Sequence, residues 1–222
     1  MTVIYDLTMP MESGHFRWPL ERDKKGDFKA GDIFEVTSFG VSCHAFTHLD
    51  APCHMVPGGP TTDALELSRV MGTAAVIDLS DIVPNEEITA RHLDRAAQHL
   101  VPGQIALFRT CWDEQRDWRT PAYWHDAPYL SAEACRWLRD RNPTSVAFDF
   151  PQDHTIRRVL DGEMPPIEEH VSHDILLRDG ITLIEYLIGT AQITEQTVQF
   201  VALPLKLPAS DGAPARVVAW NG

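Results

Sequence analysis

His44-Ala45-Phe46-Thr47-His48-Leu49-Asp50-Ala51-Pro52-Cys53-His54 places three imidazoles and one carboxylate in eleven consecutive residues, at spacings of four, two and four. Imidazole nitrogen and carboxylate oxygen are the donors that divalent first-row ions accept, so this stretch reads as a metal site. His44 and His48 would share one face of a helix, but Thr47, Asp50 and Pro52 disfavour a helix here. A turn or extended loop is expected instead, in which Asp50 reaches the same ion and Pro52 stiffens the connection. His54 can serve as a fourth ligand or as a base beside the ion, and we assign it the proton-transfer role. A divalent ion lowers the pKa of bound water from ~15.7 to about 7, which makes hydrolysis the natural chemistry without a serine or cysteine nucleophile. Cys43 and Cys53 flank the histidines out of register and are read as packing residues.

Working outward, Val36–Cys43 has a weak strand pattern that would deliver the cluster at its end. Before it, residues 1–10 read as a short strand ending at Pro10. Gly14, Pro19 and the charged run Glu21–Asp27 then suggest an irregular arm carrying Phe16 and Trp18. After the cluster, Pro57-Gly58-Gly59-Pro60 marks a turn and Ala74–Leu79 a buried strand. Thr89 is placed to cap a helix reaching about His99, stopped by Pro102-Gly103, and Ser131 one that ends near Asn142-Pro143. Ile105–Thr110, Ser145–Phe150, Ile181–Leu187 and Val198–Pro204 read as strands, and His170–Arg178 as helical. This alternation predicts an α/β fold, with parallel pairing through crossover helices. The strand-rich first sixty residues and a hairpin-like carboxyl-terminal segment turn that into a mixed, curved sheet. No repeat or linker divides the chain, so residues 1–222 read as a single domain.

Composition narrows the function classes. The 222 residues are 44% hydrophobic and 23% charged, which is ordinary for a soluble globular chain. Thirty-two acidic against 19 basic residues give a net charge of −13, which disfavours nucleic acid and anionic membranes and leaves a small molecule as the expected partner. Four cysteines without a C-x-x-C pair read as reduced thiols. The opening Met-Thr-Val-Ile-Tyr-Asp has no basic and apolar leader, and no stretch is long enough to span a bilayer, so a cytoplasmic protein is expected.

His44 to His54 resembles the H-x-G-T-H-x-D-x-P-x-H signature of the metal-dependent cyclase family, which includes bacterial kynurenine formamidase and isatin hydrolase. The resemblance extends to Tyr5-Asp-Leu-Thr-Met-Pro, Arg17-Trp18-Pro19, Pro57–Pro60, Thr110-Cys-Trp-Asp, Ala147-Phe-Asp, Leu203-Pro-Leu-Lys and Asp211-Gly-Ala-Pro-Ala-Arg. It implies a mixed sheet closing toward a barrel with helices outside, of the swivelling β/β/α type. It also implies one or two zinc or manganese ions, hydrolysis of an amide carbon–nitrogen bond, and a homodimer or homotetramer. By the same resemblance His44, His48 and Asp50 bind metal and His54 shuttles protons. His173 and Glu185, twelve residues apart, form a second ligand group. Glu185 sits in an apolar strand, where an uncompensated carboxylate is costly and a cation would relieve the cost. His170 is an alternative ligand one turn from His173. Trp18 and Phe16 belong to an aromatic arm that in the family approaches the pocket, sometimes from a neighbouring subunit.

The signature's glycine is Phe46 in this chain, and its ring is expected to point into the pocket and narrow it or stack on substrate. N-formylkynurenine and an isatin-like ring exemplify the expected substrates. A lactone hydrolase or biosynthetic cyclase, or a ligand-binding member that has lost catalysis, are the competing expectations.

Overall fold

Ala74–Ile77 is apolar at four successive positions because both faces of its strand are covered there, and this determines the architecture. The computed structural model describes residues 2–222. The strands are β1 (Ile4–Asp6), β2 (Glu21–Gly26), β3 (Val36–Gly40), β4 (His48–Asp50), β5 (Met71–Asp78), β6 (Glu87–Ile88), β7 (Ile105–Arg109), β8 (Tyr129–Leu130), β9 (Ser145–Ala147), β10 (Thr182–Glu185), β11 (Thr197–Pro204) and β12 (Gly212–Trp220). Seven of them form one sheet in the order β12-β11-β5-β7-β9-β10-β4, which closes into a barrel where β4 pairs with β12. The run β5-β7-β9-β10 is parallel, the remaining barrel pairs are antiparallel, and β1 adds to β12. The mixed, curved sheet expected from sequence is therefore present.

Parallel neighbours need crossovers, and helices supply them. Helix α1 (Ala90–Ala96) lies between β5 and β7. Short α2 (Trp112–Gln115) and α3 (Pro121–His125) precede α4 (Ala132–Arg141) between β7 and β9, and α5 (Ile156–Leu160) follows β9. Alternate strand residues then face two separate cores. Ala74, Val76, Ile105, Leu107, Ala147 and Ile184 fill the barrel interior. Ala75, Ile77, Ala106, Phe108, Val146 and Leu183 point outward, against Leu93, Leu138, Trp112 and Trp124 of the helical layer. Ser131 caps α4 by accepting the Ala134 N–H, and Asn142 ends it in the left-handed region, as its sequence foretold.

Four local expectations are corrected. The charged run Glu21–Gly26 is a strand rather than an irregular segment, paired with Val36–Gly40 in a hairpin outside the barrel, so the strand expected over Val36–Cys43 ends at Gly40 and does not deliver the cluster, whose His48 and Asp50 lie on β4. Every residue of β3 is exposed, so backbone pairing, with the Lys24–Glu35 ion pair across the hairpin, holds it rather than burial. Helix α1 ends at Ala96, short of His99, and the strand begun at Ser145 stops at Ala147. Among the described residues no helix is long and apolar enough to cross a membrane.

Candidate metal centre

Strand β4 is three residues long, yet it closes the barrel and carries two of the expected ligands. His48 lies opposite Glu185 on β10 and Asp50 lies opposite Gly212 on β12, so period-two alternation puts His48, Asp50 and Glu185 on one face. Leu49, between them, points into the barrel core. Gly212 has no side chain where His44 must lie, since a Cβ there would stand 2.8 Å from His44 Cε1. The turn preceding β4 is anchored by Thr47, whose hydroxyl donates to Tyr186 O at 2.6 Å and accepts the Met9 N–H at 2.8 Å.

The imidazoles are oriented by their second nitrogens. His48 Nδ1 donates to the Phe46 carbonyl at 2.9 Å, which turns Nε2 toward Asp50 Oδ1 at 3.2 Å and Glu185 Oε2 at 3.7 Å. His173 starts a π-helical turn, His173–Leu177, and its Nδ1 donates to Asp153 Oδ2 at 2.6 Å. Its Nε2 thereby faces Asp50 Oδ2 and Glu185 Oε1, each at 3.4 Å. A carboxylate or carbonyl behind an imidazole is the arrangement that prepares a histidine to ligate a metal. His44 Nδ1 lies 2.7 Å from Asp50 Oδ1, and its Nε2 lies 3.2 Å from Asp211 Oδ2. Glu185 also accepts from Gln152 Nε2.

The donors converge. His44, His48 and Asp50 form one group, Asp50, His173 and Glu185 a second, and His44, His54 and the exposed Asp211 a third, each with its ligand atoms within 4.8 Å of one another. Asp50 belongs to the two buried groups. Asp50 Oδ2 and His44 Nε2 are buried without a hydrogen bond, so the donor set fits a divalent ion on either side of Asp50. Electrostatics agree. Burial opposes charge on His44 and His173, yet the carboxylates around them raise both above the ordinary histidine value, His44 to about 9. Burial likewise opposes the charge of Asp50, but its three histidine partners hold its carboxyl well below the usual range. The site thus attracts positive charge, which protons supply when no cation is bound.

His54 ends a 3-10 turn, Pro52–His54, with its ring 4.1 Å from that of His44 and 5.7 Å from that of His173. Burial pushes it down to about 4, with the neighbouring His44 and His173 acting in the same direction and Asp50 opposing, so it is neutral at pH 7. A cavity of about 300 Å³ opens here, lined by His44, His48, His54, His173, Glu185, Tyr186 and Arg17, with Ile156 and Val159 on its apolar wall. His170 also lines it but pairs with the Thr155 hydroxyl at 3.1 Å rather than with the donor groups.

The expected pocket role of Phe46 does not hold. Its ring is fully buried, 4.9 Å from Trp18 and 5.4 Å from His15, on the far side of the loop from the donors. Its φ of 57° explains the glycine of the signature: a left-handed residue here aims its carbonyl at His48. Trp18 is also buried behind the pocket, packing on Tyr186 at 5.3 Å, so it supports the wall instead of forming it. Sequence reading missed Arg17 as a pocket residue, Asp211 beside His44, and Gln152 and Asp153 behind Glu185 and His173. The family motifs spanning Arg17 and Asp211 were the available signal.

A barrel rim carrying two adjoining imidazole–carboxylate groups above a small pocket defines a divalent-metal hydrolase. The chain belongs to the cyclase family, matching the family described as Putative cyclase over residues 5–152. It is 29% identical over 205 residues to a kynurenine formamidase of Bordetella petrii, covering 92% of this chain and 85% of that one. It is similar, at 25% identity and a TM-score of 0.74, to a solved structure described as a potential metal-dependent hydrolase with cyclase activity, covering 100% and 99% of the two chains. Its fold also resembles that of an isatin hydrolase bound to the product analogue thioisatinate, with a TM-score of 0.81, 20% identity and coverage of 99% and 92%.

Proposed function

We propose that this protein hydrolyses the carbon–nitrogen bond of a small linear or cyclic amide, N-formylkynurenine-like or isatin-like. Zinc or manganese is held by His44, His48 and Asp50 and by Asp50, His173 and Glu185. The observation that carries this reading is Asp50, a buried carboxylate shared by two donor groups, whose Oδ2 faces His173 Nε2 at 3.4 Å without hydrogen-bond geometry. The names borne by the relatives support an amide as the substrate.

A bound divalent ion supplies Lewis acidity toward water and toward the amide carbonyl. His54 accepts the proton of the attacking water at Nε2, its Nδ1 being turned toward Asp211 Oδ2 at 3.8 Å, and returns it to the departing nitrogen. Water and amide thus become carboxylic acid and amine, and the acid gives up its remaining proton to solvent as it ionises. Ile156 and Val159 pack a flat apolar body and exclude bulk water, in a cavity whose size suits a small molecule. Phe46 removes no donor, so no residue favours a non-catalytic role, and nothing in the pocket favours a lactone over an amide.

The reading includes a homodimer or homotetramer acting in the cytoplasm. Phe28, Ile33, Phe34 and Phe39 are exposed together on and around the β2–β3 hairpin, an apolar surface suited to a second copy of the chain. The test of function is turnover of an amide panel by protein loaded with zinc or manganese. His48→Ala is expected to lower kcat/KM at least about 100-fold, and an unchanged rate overturns the assignment.

A further inference from the structure

We propose that Arg17 is the carboxylate-binding residue of the pocket, so that the preferred amide bears a carboxylate close to its scissile bond. The inference deepens the hydrolase reading and rests on it for the words "scissile bond" alone. Arg17 lines the same cavity as His48, His54 and Glu185. Its guanidinium carbon lies 4.4 Å from the Trp124 ring, 5.1 Å from Trp18 and 5.6 Å from Tyr186, an aromatic cage that holds the cation without using its N–H groups.

The only side-chain hydrogen bond of Arg17 among the described residues is a long one, 3.4 Å from its Nη1 to the Tyr186 hydroxyl, and no carboxylate pairs with it. Its backbone is fixed as well. The Arg17 N–H donates to His15 Nδ1 at 3.2 Å, while His15 Nε2 donates to Trp118 O at 3.1 Å and the imidazole stacks on Trp18 and Trp118. A caged, preorganised guanidinium with free donors matches a planar carboxylate through two parallel hydrogen bonds.

The two ends of the pocket consequently differ. Asp153 and Glu185 at one end are matched by His173 and His48, whereas Arg17 at the other end lines the cavity with no carboxylate paired to it. The Tyr186 ring bridges them, 5.4 Å from the His48 ring and beside the guanidinium. The Tyr186 ring thus adjoins both the anion site and the donor groups within one cavity of about 300 Å³, so amide and carboxylate belong on one small scaffold.

The test compares N-formylanthranilate with formanilide, which differ by the carboxylate, on metal-loaded protein. We expect kcat/KM to favour the acid by about tenfold to a hundredfold, chiefly through KM. The acid-to-neutral ratio should collapse toward one in Arg17→Gln and recover in part in Arg17→Lys. A wild-type ratio near one overturns the proposal without recourse to any variant, and so does a preference that survives Arg17→Gln. Calorimetric binding of anthranilate against aniline gives a readout independent of turnover. Cleavage of neither amide, with Arg17-dependent selection of anthranilate, sinks the hydrolase reading and keeps Arg17 as the anion site. Cleavage of both without Arg17-dependent selection does the reverse.

Discussion

Asp50 is the residue on which the two donor groups meet, with Oδ1 beside His44 and His48 and Oδ2 beside His173. Asp50→Ala is therefore expected to abolish binding on both sides, whereas His173→Ala should leave the His44–His48 side occupied. Metal content of the purified variants distinguishes these outcomes, and equal loss in both variants contradicts a shared ligand. Phe46 is a different case. Phe46→Gly relieves a left-handed residue, a gain of about 1 kcal/mol, but deletes a ring packed against Trp18 and His15, a loss of about 3–5 kcal/mol. The net effect is a lower Tm in thermal denaturation, and an unchanged or higher Tm would show the ring to be dispensable. The signature could be read because His44, His48, Asp50 and His54 are close in sequence. The direction of Phe46 could not, since it depends on a backbone angle, and Asp211 and Asp153 reach the site from segments that no local spacing connects to it.

At the scale of elements, the segment 11–19 is fixed by a histidine rather than by secondary structure. His15 Nδ1 accepts the Arg17 N–H, so protonation would set two N–H groups against each other, and burial lowers the pKa of this imidazole. A pKa lower in the folded than in the unfolded chain means that the unfolded chain binds more protons. This contribution to stability is thus present above about pH 6.5, the ordinary histidine value, and is lost as pH falls toward the folded pKa. His15→Gln should flatten the stability–pH curve between about pH 7 and 5 in denaturant titrations, and an unaltered slope contradicts the assignment. Helix α4 offers a simpler check, since Ser131→Ala removes its cap and should cost about 1 kcal/mol. Such caps were legible because their signal is local. The β2 strand was not, because its charges carry no burial pattern and its pairing partner supplies the order.

At the scale of the whole molecule, closure of the barrel turns sequence neighbours into a metal site. The β4–β12 pairing brings Gly212 to Asp50, and the β4–β10 pairing brings Glu185 to His48. The α/β alternation announced the parallel half of the sheet, but strand order and closure depend on pairings between distant segments, which periodicity does not encode. The hairpin belongs to this scale too. If the hairpin carries the proposed self-association, Ile33→Glu with Phe34→Glu yields a folded monomer in sedimentation velocity, and a wild-type chain already monomeric at micromolar concentration contradicts that interface. The placement of Asp50 between two proposed cation positions is tested by anomalous diffraction from crystals of manganese- or zinc-loaded protein. Peaks are expected on both sides of Asp50, within about 2.0–2.2 Å of the imidazole nitrogens and carboxylate oxygens, and the absence of any peak beside Asp50, with His44 and His173 still paired to it, would contradict that placement.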